Sequence, residues 1–159
     1  MAFAATLRRW MDVFLQAVCA FLMIGLAVMV LVAVAMRTAG RSPLWYDEVA
    51  AIWLVWLTFF GASLVTLRRA HLGFDGLVRV MPASFRYAVF VASEAASLVF
   101  YAVVAVYGWS VLEIIAGETL VSLPWLGYEV VHAVVPATAA VMFVSQFLSA
   151  PEAWRGLTA

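Results

Sequence analysis

Residues 13–36 read VFLQAVCAFLMIGLAVMVLVAVAM, twenty-four positions without one charged side chain. About 20 helical residues cross the roughly 30 Å hydrocarbon core of a bilayer, so this run is long enough to span one. It also exceeds the core of a signal peptide, which takes about 7–15 apolar residues. The expectation is therefore a retained helix, although Arg8-Arg9 precedes the run and Ala33-Val34-Ala35 resembles a small-residue cleavage site. Three further runs follow. Val49–Leu67 is bounded by Asp47-Glu48 and Arg68-Arg69, the run from Tyr87 to about Trp109 contains Glu94, and Leu126–Leu148 contains Glu129, His132 and Pro136. An open sheet would leave backbone groups unpaired in lipid, so helix is the only credible state for each. The pattern predicts an all-α integral membrane protein, a single membrane domain over 1–159 with transmembrane helices at about 13–36, 49–67, 87–109 and 126–148.

Composition excludes the main alternatives. Of 159 residues 67% are hydrophobic and 11% charged, whereas a soluble domain carries about 25% charged residues. A free soluble enzyme is ruled out on this ground, because so small a globule cannot hide that much apolar surface. Nine arginines balance nine acidic residues, and zero net charge gives nucleic acid nothing to attract. The one cysteine, Cys19, cannot form an internal disulfide. No Gly-rich phosphate loop or nucleophile elbow is present, so no catalytic residue and no cofactor is expected.

Arginine placement sets the expected orientation. Arg8, Arg9, Arg68, Arg69, Arg79, Arg86 and Arg155 fall on one side of a four-span chain, against Arg37 and Arg41 on the other. Both termini are therefore expected in the cytoplasm of a bacterial or archaeal cell. Between the second and third spans, Phe74, Leu77, Val78 and Met81 recur at helical spacing before Pro82. This predicts a short amphipathic helix at about 73–81, lying in the membrane interface either as a plain shelf or as a docking site.

Several polar and aromatic positions have both a bland and a functional reading. Asp47 and Glu48 at the start of the second helix, with Arg68 and Arg69 at its end, complement its dipole. Trp45 and Tyr46 read as interfacial anchors. Trp53, Trp56 and Phe60 share a face that either meets lipid or wedges against a partner. Ala88, Ala92 and Ala96 form a small-residue stripe that lets another helix approach closely. Glu94 inside the third span is either an ion or proton site or a carboxyl bonded to a neighbouring helix. Glu129 and His132 share a face near the start of the fourth span. Two candidate ligands without a third make a metal site weak, and interhelical hydrogen bonding beside Pro136 is the plainer reading. His71 and His132 fall at opposite ends of the bundle, so no single haem takes both.

Taken in order, the residues form a series: Arg37, then Trp45-Tyr46-Asp47-Glu48, then Phe59-Phe60-Gly61-Ala62. Arg68-Arg69-Ala70-His71-Leu72-Gly73-Phe74-Asp75 comes next, followed by Pro82, Arg86, Leu123-Pro124-Trp125, Tyr128 and Val135-Pro136. Over about residues 10–148 the chain resembles the small membrane subunit, of DctQ type, of the tripartite ATP-independent periplasmic (TRAP) transporters. The resemblance implies a non-catalytic subunit in the inner membrane. Its partners would be a large elevator-type membrane subunit that carries solute and sodium, a periplasmic substrate-binding protein, and the lipid bilayer. Organic acids are the implied cargo. It also implies that Arg37, Trp45, Asp47, Glu48, Phe60, Gly61, Arg68, Arg69, His71 and Asp75 fix shape and partner contact rather than bind substrate. Glu94, Glu129 and His132 match no part of that pattern. Two other classes stay open on the residues alone. One is a self-sufficient proton-coupled exporter with Glu94 as its essential carboxylate, and the other a membrane anchor of a redox complex.

Overall fold

The computed structural model describes the backbone of residues 2–41, 45–68 and 82–158. Within them the chain forms α1 (Ala2–Thr38), α2 (Tyr46–Leu67), α3 (Ala83–Ile114), α4 (Tyr128–His132) and α5 (Val134–Thr158). Four stretches are long and apolar enough to cross a membrane: Thr6–Thr38, Tyr46–Leu67, Phe85–Ile114, and Tyr128–Ala150, the last made of α4 and α5. The protein is a multi-pass, all-α membrane protein. The interfacial helix expected at about 73–81 lies outside the described residues, as do Arg69, His71 and Asp75.

Local chemistry explains where the helices stop. α1 ends in a Schellman motif: Gly40 takes φ +73° and the Arg41 N–H reaches the Met36 carbonyl at 2.9 Å. Only glycine adopts that left-handed turn without strain. α2 opens with Asp47 and Glu48 in its first turn, against the positive end of its dipole.

The fourth span is not one continuous helix. α4 stops at His132 and α5 begins at Val134. Pro136 has no N–H to offer the His132 carbonyl, which weakens the helix one turn before the proline. Neighbouring helices accommodate the break. The Trp56 indole N–H donates to the Val131 carbonyl at 2.9 Å, and α3 presents Gly108, where a Cβ would come within 3.3 Å of the Pro136 ring.

α5 is the hub of the packing. It lies against α2 on one side and α3 on the other, while α1 packs on the far side of α2. Ser63, Thr66, Thr138, Ser145 and Ser149 are all at most 1% exposed at these contacts. Each hydroxyl donates to a carbonyl one turn back in its own helix: Phe59, Ala62, Val134, Val141 and Ser145 respectively. A small side chain whose polar atom is satisfied at home lets two backbones approach closely in lipid.

Three bonds fix the register of α2 against the last span. Glu48 Oε2 accepts the Ser122 N–H at 2.9 Å, Trp56 Nε1 donates to the Val131 carbonyl, and Ser63 Oγ meets the Thr138 carbonyl at 3.5 Å. The partners are 74, 75 and 75 residues apart. An offset this constant means the two segments run parallel, in step, from Glu48 to Ser63. The end of the bundle that carries both termini is called the terminal end below, and the opposite one the far end.

Candidate functional site: helix joints and exposed faces

At the terminal end, Arg68 grips Asp12 with two bonds, Nε to Oδ1 at 2.7 Å and Nη2 to Oδ2 at 3.1 Å. Gln16, one turn further along α1, donates to the same carboxylate. Arg8 Nη2 donates to the Leu67 carbonyl at 3.2 Å, placing a cation on the negative end of α2. The hydrogen bond to Asp12 raises the Arg68 pKa above its already high ordinary value, so the clamp keeps its positive charge. Arg68 therefore ties α2 to α1. Its partner, Asp12, was not singled out from sequence; the available signal was a carboxylate one turn beyond Arg8, at the edge of an apolar run.

At mid-height the aromatic row of α2 is engaged within the chain. Trp53 lies over Gly25 of α1 so closely that a methyl group there would overlap its ring, and Phe21 stacks beside it with ring centres 5.9 Å apart. Gly25 is the only glycine between Val13 and Met36, a signal available in the sequence. Trp56 points the other way, to the break in the fourth span. Phe60 and Gly61 are half-buried, and among the described residues no atom of another element lies within 4 Å of the space a Gly61 Cβ would fill.

Glu94 is half-buried on α3, and its Oε2 accepts the amide N–H of Gln146 on α5 at 2.9 Å. Gln146 is itself 8% exposed. Gln146 is an uncharged amide 52 residues from the carboxylate it meets, so no local charge pattern points to the pair. Glu129 and His132 are exposed on α4. His132 Nδ1 lies 3.0 Å from the Tyr128 carbonyl one turn back, and its ring sits 6.0 Å from the Tyr128 ring. Among the described residues no three His, Cys, Asp or Glu side chains gather as a metal site would need.

Between the bundle ends the outward surfaces are mostly apolar. Arg37 and Asp47 are exposed at the far end, and Trp45 is 45% exposed beside them. Ala88, Ala92 and Ala96 are exposed along α3. Ala96 also walls an open groove of about 600 Å³ between α2 and α3, with Thr58, Phe59, Ala62 and Phe100 on its sides and Ala139 and Met142 of α5 as its floor. The groove exists because α2 and α3 both pack on α5 and leave a channel between them.

Polar groups tied up in joints between the chain's own helices, with apolar faces turned outward, describe a multi-pass membrane protein built for helix packing. The model of the family described as "Tripartite ATP-independent periplasmic transporters, DctQ component" matches residues 26–156. The chain belongs to that family and is a small membrane subunit of a TRAP transporter. Membership implies association with a large membrane subunit and a substrate-binding protein. No curated protein matches the chain.

Proposed function

We propose that this subunit is a non-catalytic scaffold for the large, elevator-type membrane subunit of a sodium-coupled TRAP transporter that takes up organic acids. It sits in the inner membrane with both termini in the cytoplasm, the side on which seven of its nine arginines fall. The observation that supports a scaffold is where the polar side chains go. Hydroxyls of Ser63, Thr66, Thr138, Ser145 and Ser149 bond to their own helices, and Glu94 is held by Gln146. A solute pathway gathers convergent polar groups at mid-membrane for its cargo; here they serve the packing.

The reading places the large subunit on the α3 face that carries Ala88, Ala92 and Ala96 and on the groove beside it. Trp53, Trp56, Glu48 and Arg68 act indirectly, by holding the shape that presents this face. Substituting Ala92→Trp or Ala96→Trp, alone and together, tests the assignment. Both sites are exposed, so the expected result is an unchanged melting temperature of the isolated chain with loss of the large subunit on co-purification. Normal co-purification by the double variant would remove the assignment.

A further inference from the structure

Hydropathy places the connection between α3 and α4 outside the membrane, as a link between two spans. The register of the bundle places much of it lower. Ser122 is fixed at the level of Glu48 and Val131 at the level of Trp56. The chain between them therefore runs beside the first turns of α2, below the Asp47-Glu48 charges. Eight residues separate Glu48 from Trp56, about 12 Å at helical rise. Over that stretch α2 has already entered its apolar span, which begins at Val49.

The loop's chemistry agrees with that depth. Thr119 through Tyr128 contain no charged residue, and Glu118 and Glu129 stand just outside. Irregular backbone stays out of the hydrocarbon itself and is tolerated near it where protein or headgroup water takes up its polar groups. Here the Leu120 N–H bonds the Leu126 carbonyl at 3.1 Å, Leu126 bonds Leu123 at 2.9 Å, Tyr128 bonds Glu118 at 2.9 Å, and Ser122 bonds the Glu48 carboxylate. Gly117, at φ +90°, turns the chain into this arrangement. Leu120 is 3% exposed and anchors the loop inward, whereas Val121 and Trp125 are 85% and 79% exposed. Large apolar side chains displayed this openly, next to the span of α2, are placed for lipid rather than water.

We propose that residues 119–127 form a lipid-embedded loop, clamped by Glu48, that seats Val121 and Trp125 in the headgroup–acyl boundary of the leaflet at the far end. Glu48 is a positioning residue for this loop. The proposal rests on the chain spanning a membrane and not on its role in transport, so either can fail without the other.

The test is spin-label accessibility on the full chain in phosphatidylethanolamine–phosphatidylglycerol vesicles, alone and with its co-purified large subunit. Cys19→Ser removes the native thiol, and labels are placed by Val121→Cys and, separately, Trp125→Cys. Arg41→Cys serves as the water-exposed reference and Val28→Cys, on the exposed side of α1, as the lipid reference. Both loop labels should collide with oxygen in preference to a nickel chelate, as the Val28 label does, with Trp125 deeper than Val121. Glu48→Ala should raise label mobility at both sites and shift the preference toward the chelate. Preference for the chelate in the unaltered loop, matching Arg41, would overturn the proposal. So would protection from both reagents in the complex, since a protein would then cover the loop. Two label sites guard against one substitution disturbing the fold.

Discussion

The first and last spans invert the burial rule of soluble proteins. The most apolar 18-residue stretch of the span in α1 has a mean hydropathy of 2.9, yet only 11% of it is buried; the matching stretch of the span of α4 and α5 has 1.7, and 44% of it is buried. In water the greasier helix would sit inside. In lipid, apolar side chains gain nothing by leaving the hydrocarbon, so the interior goes to residues that pack closely or bond to one another. Ser145 and Ser149 at 0% exposure on α5, against Phe14, Phe21 and Leu31 at 60–69% on α1, show the inversion residue by residue. Hydropathy alone therefore does not decide burial between these two spans: small hydroxyl residues take the inside of α5, while most of the large apolar side chains of α1 face outward.

The largest expected effect comes from overfilling the small-residue contacts of α5. Ser145→Leu or Ser149→Leu puts a side chain larger by two heavy atoms at a site that is 0% exposed, and overpacking costs about 1–3 kcal/mol. Phe147→Leu, on the 69% exposed side of the same helix, should leave the melting temperature of the detergent-solubilised chain nearly unchanged. Equal losses from both would break the comparison.

Gly25→Leu should follow in size. It drives a side chain into the Trp53 ring, at a similar cost of about 1–3 kcal/mol, but α1 is held mainly by α2 and can give way. The expected signature is selective loss of a cross-link between cysteines placed on α1 and α2, with an α3–α5 cross-link retained. Loss of both together would show that α1 is no separate layer.

A smaller change is expected at the Glu94–Gln146 bond. Interhelical hydrogen bonds in membranes contribute about 0.6 kcal/mol on average and about 1.7 at most, so Gln146→Leu should lower thermal stability modestly. Glu94→Gln keeps a side chain able to accept the same bond and should be milder still, with transport by the assembled system preserved. Abolished transport with a normally assembled complex would instead revive Glu94 as a functional carboxylate.

The smallest effect belongs to Arg68 and Asp12. Both lie at the terminal end within reach of water, and exposed pairs are screened by salt. Asp12→Asn should shift the melting temperature detectably at low ionic strength and hardly at all in high salt. A loss insensitive to salt would mean the joint acts through packing rather than charge.

Periodicity and run length were enough to find four helices, because a span announces itself by composition alone. The Trp45–Glu48 opening, the Phe59–Ala62 step and the Arg68–Asp75 stretch, in that order and spacing, together point to the family. The joints were less legible. Pro136 marked a bend, but the helix breaks three residues upstream, at Ala133, because a proline disturbs the turn that precedes it. Its place in the first turn of α2 marks Glu48 as a dipole partner, but its bond to the Ser122 backbone depends on a 74-residue register that no local pattern encodes. Asp12 and Gln146 escaped for the same reason: which residue a charge meets across a helix pair is set by how closely small residues let the helices approach. Gly25 and Gly108 each set such an approach, and no local pattern says that the rings they meet are those of Trp53 and Pro136.

The central claim, that the α3 face and the groove beside it are covered by a large membrane subunit, is tested most directly by the mass of the complex. The tagged chain would be expressed in its native host, extracted in mild detergent and weighed by native mass spectrometry. The account predicts a stoichiometric assembly with one large polytopic partner, lost in the Ala92→Trp/Ala96→Trp variant. A chain that emerges alone, or only with copies of itself, would contradict it.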